Sequence, residues 1–316
     1  MKRPLIILTG PTAVGKTKAS ISLAKSINGE IISADSMQVY KHMDIGSAKI
    51  KPEEMDGVKH YLVDVLEPDE EFHVVKFQEM AKQAMEEIYE KGKIPIVVGG
   101  TGFYIQALLY DIDFTENQAD TSYREMLEAL AQEKGAEYLH AMLQEVDMAS
   151  AEAIHANNVK RVIRALEFFH QTGEKISEHN EQERAKESPY ESCYFVLNDD
   201  RDVLYERINQ RIDMMLEEGL VQEVQALKDK GYTKEMVSMQ GLGYKEILDY
   251  LNGECSLEEA IYILKRDTRH FAKRQLTWFR REQDVIWIQK NDYQRDEEKI
   301  LHAILKHIKE RTSIHV

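Results

Sequence analysis

Eight residues near the start of this 316-residue chain restrict its fold more than any other feature. Gly10-Pro11-Thr12-Ala13-Val14-Gly15-Lys16-Thr17 matches the pattern G-x-x-x-x-G-K-[ST]. It follows an apolar run, Leu5 to Leu8, and precedes a stretch predicted to be helical from Thr17 to Asn28. In that setting the pattern is a P-loop. Its glycines let backbone N–H groups turn inward around phosphate oxygens at a helix N-terminus, Lys16 adds a point charge, and Thr17 offers its hydroxyl to Mg²⁺. The loop needs a strand before it and a helix after it, hence a parallel sheet covered by helices. Which phosphate compound it holds is left open by the motif.

The rest of the chain keeps that rhythm. Runs at Glu30 to Ala34, His60 to Val65, Ile94 to Val98, Cys193 to Leu197 and Val285 to Ile288 read as further strands, separated by helical stretches. Between about Asn117 and Lys186 the alternation stops, and Tyr123 to Lys134, Ala136 to Val146 and Asn158 to Gln171 all read as helices, two of them stopped by Gly135 and Gly173. The expected architecture is α/β: a P-loop NTPase-like parallel-sheet core from 1–116 and 187–316 with C-terminal helices, and a helical insertion domain at 117–186. Cys193 and Cys255 have no partner at metal spacing, which excludes a disulfide framework and a zinc site and fits a reducing, cytoplasmic setting. The apolar start is cut by Gly10-Pro11, unlike a signal peptide, and no run approaches transmembrane length.

Three further places carry chemistry. The second strand ends in Ala34-Asp35-Ser36-Met37-Gln38, which sets a carboxylate at the sheet edge where α/β proteins bind ligands. Asp35 there suits a second-sphere Mg²⁺ ligand, a general base or a helix N-cap; Ser36 and Gln38 favour an acceptor site, since Asp and Gln together read the donor and acceptor edge of a base. The fourth strand leads into Gly99-Gly100-Thr101-Gly102, which is either a tight turn or a second loop facing the same crevice with Thr101. After the fifth strand, Arg207 and Arg211 lie four apart on one helical face, suited to clamping an anionic leaving group or to pairing with Glu206, Asp213 and Glu217.

Lys and Arg number 41 against 56 Asp and Glu, a net charge of −15 that disfavours nucleic acid unless the cations cluster. They do cluster. On a helix predicted from Glu258 to Glu282, an apolar stripe of Ile261, Leu264, Phe271 and Trp278 is opposed by Arg266, Arg269, His270, Lys273 and Arg280, flanked by Lys265, Arg274 and Arg281. Lys160, Arg161 and Arg164 form a second group at the start of the last insertion helix. Phosphate contacts answer to local potential rather than to net charge.

Taken in order, GPTAVGKT, ADSMQVYKHMDIGSAK, VGGTGFYIQALL, KRVIRALEFF, GLGYKEI and KRDTRHFAKRQLTWFRR resemble the tRNA dimethylallyltransferase (tRNA isopentenyltransferase) family over nearly the whole chain. The resemblance implies transfer of a dimethylallyl group from dimethylallyl diphosphate to the N6 amine of the adenine just 3′ of a tRNA anticodon. It implies that Gly10 to Thr17 hold the donor's diphosphate rather than ATP, with Thr17 on Mg²⁺, and that Asp35 accepts the amine proton. Ser36, Met37 and Gln38 match the segment that reads the flipped adenine, and Thr101 and Arg211 match groups near the diphosphate bridge, completing with Lys16 and Asp35 a catalytic set. Lys160, Arg161, Val162, Ile163 and Arg164, with Arg124, match positions that contact the tRNA anticodon stem-loop. No C-terminal zinc finger is present, which implies a compact bacterial-type enzyme, expected to be a monomer with no membrane partner. Two other activities fit the same loop: prenylation of free adenine nucleotides, and a P-loop kinase acting on a small metabolite.

Overall fold

A computed structural model describes residues 2–114 and 122–314. Two compact units make up the chain, Met1–Leu109 with Ser188–Val316, and Tyr110–Glu187; the boundary expected at 116/117 lies outside the described residues.

The first unit is built on a six-stranded, wholly parallel sheet in the order β3-β2-β4-β1-β5-β6. Its strands are β1 (Arg3–Thr9), β2 (Gly29–Ala34), β3 (His60–Tyr61), β4 (Ile94–Gly99), β5 (Tyr190–Asn198) and β6 (Val285–Gln289). Helices α1 (Lys16–Ser26), α2 (Val74–Glu90) and α3 (Gly102–Leu109) follow β1, β3 and β4. The second unit holds α4 (Ser122–Lys134), α5 (Ala136–Val146), α6 (Met148–Ala153), α7 (Val159–Thr172) and α8 (Ile176–Ala185). After β5 come α9 (Arg201–Glu217), α10 (Leu220–Asp229), α11 (Tyr244–Leu251) and α12 (Leu257–Phe279), and after β6 comes α13 (Glu297–Arg311).

β1 lies inside the sheet and is covered on both faces, so Leu5, Ile6, Ile7 and Leu8 are all buried, the continuous apolar run that such a strand requires. Because every strand runs the same way, the loops after β1, β2, β4 and β5 open at one edge, where the glycine-rich and carboxylate motifs meet.

The third strand is shorter than the run His60 to Val65 predicts. Leu62 (φ 60) and Asp64 (φ 59) take left-handed backbone that a strand cannot contain. From there the segment leaves the sheet and braces the turn after β2: Asp64 N donates to Gln38 O at 3.0 Å and Val65 N to Val39 O at 2.8 Å.

In the second unit Leu127, Leu139, Leu143, Val162, Ile163 and Leu166 form one buried cluster. Its helices α6 and α8 were not expected. One spans six residues and the other, ISEHNEQERA, has no apolar stripe to announce it. The buried Asp147 carboxylate ties them together, accepting from Ser150 N and Oγ and from Ser177 N and Oγ. Helix α12 also differs in detail. Ala260, Leu264, Ala272, Gln275 and Phe279 are the fully buried positions, whereas Ile261, Phe271 and Trp278 are half-buried, because the helix packs against α3, α9 and α11 at once.

Candidate active site

The loop from Gly10 to Thr17 has the backbone its motif demands. Gly10 sits at φ 147, and a Cβ there would fall on the Leu197 carbonyl oxygen of β5, so only glycine fits. Ala13 (φ 63) and Gly15 (φ 96) are also left-handed, which curls the loop into a cradle. Helix α1 begins with no side-chain cap and no acidic residue in its first turn, leaving its terminal N–H groups and positive dipole end to an anion. Lys16 Nζ donates to Gly10 O and Pro11 O, both at 2.9 Å. Enclosure in the loop draws the Lys16 ammonium down to about 8; the Asp35 carboxylate opposes that shift and Arg211 adds to it. Thr17 is exposed, and its hydroxyl has no hydrogen-bond partner among the described residues.

Asp35 leaves β2 half-buried. Its Oδ1 accepts from Met37 N at 2.8 Å and Gln38 N at 3.3 Å, so one oxygen closes a turn, not a helix. The other carries no protein hydrogen bond among the described residues, and the carboxylate acts on both Lys16 and Arg211. Gln38 Nε2 donates to Ser47 O at 3.3 Å and Ala48 O at 3.0 Å. Thr101 N donates to Ala34 O at 3.3 Å, joining the turn after β4 to the end of β2, and the Thr101 hydroxyl has no partner among the described residues.

The two arginines of α9 separate clearly. Arg207 Nη1 donates to Asp199 Oδ2 at 3.1 Å, and the same buried carboxylate accepts from Arg295 Nε, so Arg207 is held in a structural pair. Its partner is Asp199 rather than Glu206, Asp213 or Glu217. Arg211, one turn further along, makes no hydrogen bond or ion pair among the described residues. Burial lowers its pKa and the Asp35 and Glu54 carboxylates raise it, which places the guanidinium in the same field as Lys16.

Pattern reading missed the residues that brace these loops. Glu223 Oε2 accepts from Asp44 N (2.9 Å) and Ile45 N (2.8 Å), while its Oε1 accepts from Gly46 N (3.0 Å) and the Tyr244 hydroxyl (2.8 Å). Tyr244 Oη in turn accepts from Ser47 N at 3.1 Å. Four consecutive N–H groups of the segment that holds Gln38 are thereby fixed, which explains the tyrosine in GLGYKEI. Lys290 is a buried cation beneath the cradle, donating to Val14 O at 3.3 Å and Glu297 Oε1 at 2.8 Å.

The basic clusters divide between paired and unpaired cations. On α7, Lys160 and Arg161 are exposed with no side-chain partner among the described residues. Arg164 is half-buried, its pKa lowered by burial, and Arg124 forms a two-pronged pair with the buried Glu167, both bonds at 2.9 Å. Within the segment 160–164, the side chains of Val162 and Ile163 belong to the buried core. On α12, Lys265 pairs with Asp213, Arg266 with Asp267, and Arg269 donates to Asn209 Oδ1 at 2.7 Å. Lys273, Arg274, Arg280 and Arg281 are exposed and form no ion pair among the described residues. His270, Lys273, Arg274, Thr277, Trp278 and Arg281 line a pocket of about 370 Å³.

No cluster of three or more His, Cys, Asp or Glu able to hold a metal occurs among the described residues, and none of their helices is long and apolar enough to cross a membrane.

A family model described as "IPP transferase" matches residues 38–282. The chain is 68% identical over 312 residues to a tRNA dimethylallyltransferase of Lachnoclostridium phytofermentans, covering 99% of both chains. It is 53% identical over 296 residues to one of Acetivibrio thermocellus, covering 94% and 95%. Among solved structures it is similar to a tRNA isopentenylpyrophosphate transferase of Bacillus halodurans (TM-score 0.74, 46% identity, 98% of each chain). It is also similar to a eukaryotic dimethylallyltransferase acting on tRNA (TM-score 0.84, 30% identity, 98% of this chain and 80% of that one). The family model begins after the P-loop and Asp35; the curated match over 99% of the chain takes in both.

Proposed function

The chain belongs to the IPP transferase family, and from that premise we propose that it transfers a dimethylallyl group from dimethylallyl diphosphate to the N6 amine of the adenine 3′ of a tRNA anticodon, releasing diphosphate. The observation that carries the reading is the juxtaposition at one sheet edge of a phosphate cradle with Lys16, an unpaired arginine at Arg211, and a carboxylate at Asp35 that acts on both cations. The similar enzymes are named for tRNA rather than for free nucleotides or a small metabolite.

The adenine N6 lone pair is delocalised and weakly nucleophilic. As it bonds to the allylic C1, the C1–O bond to diphosphate breaks and the free Asp35 oxygen accepts the N6 proton, which sharpens the nucleophile in the transition state. Negative charge grows on the departing diphosphate, where the cradle's N–H groups, Lys16, Thr101 and Arg211 receive it. The partner-free Thr17 hydroxyl fits Mg²⁺, which takes few protein ligands and keeps phosphate oxygens and waters; when bound, the ion supplies further charge neutralisation to the leaving group. The base must leave its stack to react, so the backbone has to be gripped by cations. Lys160, Arg161 and Arg164 at the start of α7 supply such cations.

The direct test mixes the protein with Mg²⁺, dimethylallyl diphosphate and unmodified tRNA carrying that adenine. Prenylated tRNA is expected without ATP. A strict ATP requirement, or equal turnover of free AMP, would sink the reading.

Donor affinity should depend on pH through Lys16. Its charge is complete below about 8 and is lost as the pH rises through that value. Binding above it must restore a proton, so affinity falls by up to about tenfold per pH unit. Titration of dimethylallyl diphosphate on either side of that pH measures the slope, and Lys16→Arg should abolish it.

Replacing Lys160, Arg161 and Arg164 by Ala should weaken stem-loop binding and lower its salt slope by about one for each phosphate left without a cation. Donor binding should be unchanged. A salt titration with labelled stem-loop reads the first effect, and an unaltered slope would leave the cluster as a solvated helix face.

A further inference from the structure

The geometry points to Gln275 as the positioning residue that sets the distance between the diphosphate cradle and the Thr101 turn; this deepens the proposed transfer reaction and rests on it. Gln275 comes from α12, far from both loops in sequence, and is 6% exposed. Its Oε1 accepts from Thr12 N at 2.9 Å and its Nε2 donates to Gly100 O at 3.0 Å. One planar amide therefore spans the cradle on one side and the turn bearing Thr101 on the other.

The surrounding residues are shaped to this bridge. A Cβ at Gly100 would collide with Gln275 Nε2. One helical turn on from Gln275, Trp278 lies where a Cβ at Gly102 would be, so α12 holds the residues on both sides of Thr101. The bridge needs an acceptor at one end and a donor at the other, spaced by a rigid group. An ionised carboxylate can accept from Thr12 N but has nothing to donate to Gly100 O, and an ammonium can donate but not accept. A carboxylic acid, in contrast, reproduces the amide pattern: its C=O accepts from Thr12 N and its O–H donates to Gly100 O.

This chemistry gives a test that loss of packing cannot mimic. Gln275→Glu and Gln275→Met are compared with the parent enzyme for dimethylallyl diphosphate binding by calorimetry and for tRNA turnover, each across pH. Near neutral pH both variants should lose about 10- to 100-fold in kcat/KM. As the pH falls, Gln275→Glu should regain activity and donor affinity relative to the parent, because its buried carboxyl protonates readily. Gln275→Met should keep a constant ratio. A constant ratio for both variants, or no loss in either, would overturn the assignment. Failure of the parent enzyme to prenylate tRNA would sink the proposed function instead, while donor binding would still read the bridge.

Discussion

Asp35→Asn should lose about 10²- to 10³-fold in kcat for tRNA while binding dimethylallyl diphosphate within about twofold of the parent. The amide preserves the acceptor that takes Met37 N and Gln38 N, so the turn after β2 survives. What disappears is the basic oxygen with no protein partner. Single-turnover rates with saturating donor separate the two roles left open by its position: a lost base slows chemistry alone, whereas a role through Mg²⁺ weakens the donor. Near-normal turnover would remove Asp35 from the mechanism.

Lys16→Ala should be more damaging, lowering kcat/KM by about 10³-fold, or roughly 4 kcal/mol. The side chain contributes the cradle's own positive charge and holds the Gly10 and Pro11 carbonyls. Both donor affinity and turnover should fall, in contrast to Asp35→Asn, and thermal unfolding should show the fold retained. If donor affinity stayed within twofold, the diphosphate would have to be held elsewhere.

Much of this was legible because the motifs are local. The P-loop, Asp35 and Thr101 each leave the C-terminal end of a parallel strand, and parallel strands all deliver their loops to one edge. What escaped depends on partners distant in sequence. Arg207 and Arg211 share a helical face, and only the buried Asp199 opposite one of them tells them apart. Five consecutive residues on a helix cannot all face outward, which is why Val162 and Ile163 turn into the core while Lys160 and Arg161 stay in water. Gln275 sits on the packed face of a helix read for its cations, and a polar residue there breaks the apolar pattern instead of extending it. The end of β3 was lost to left-handed residues that nothing in a β-branched run announces.

The way the cradle leans on the Leu197 carbonyl of β5 bears on how the molecule comes into being. The supports of the P-loop, at Gly100, Leu197, Gln275 and Lys290, all lie far downstream of it in the chain. β1 must wait through the synthesis of the entire Tyr110–Glu187 unit before β5 arrives to cover its second edge. Such long-range pairing makes folding slow and leaves an apolar strand edge open to nascent-chain aggregation until late in translation. A product that stops short of β5 therefore carries the loop's sequence without the strand it leans on.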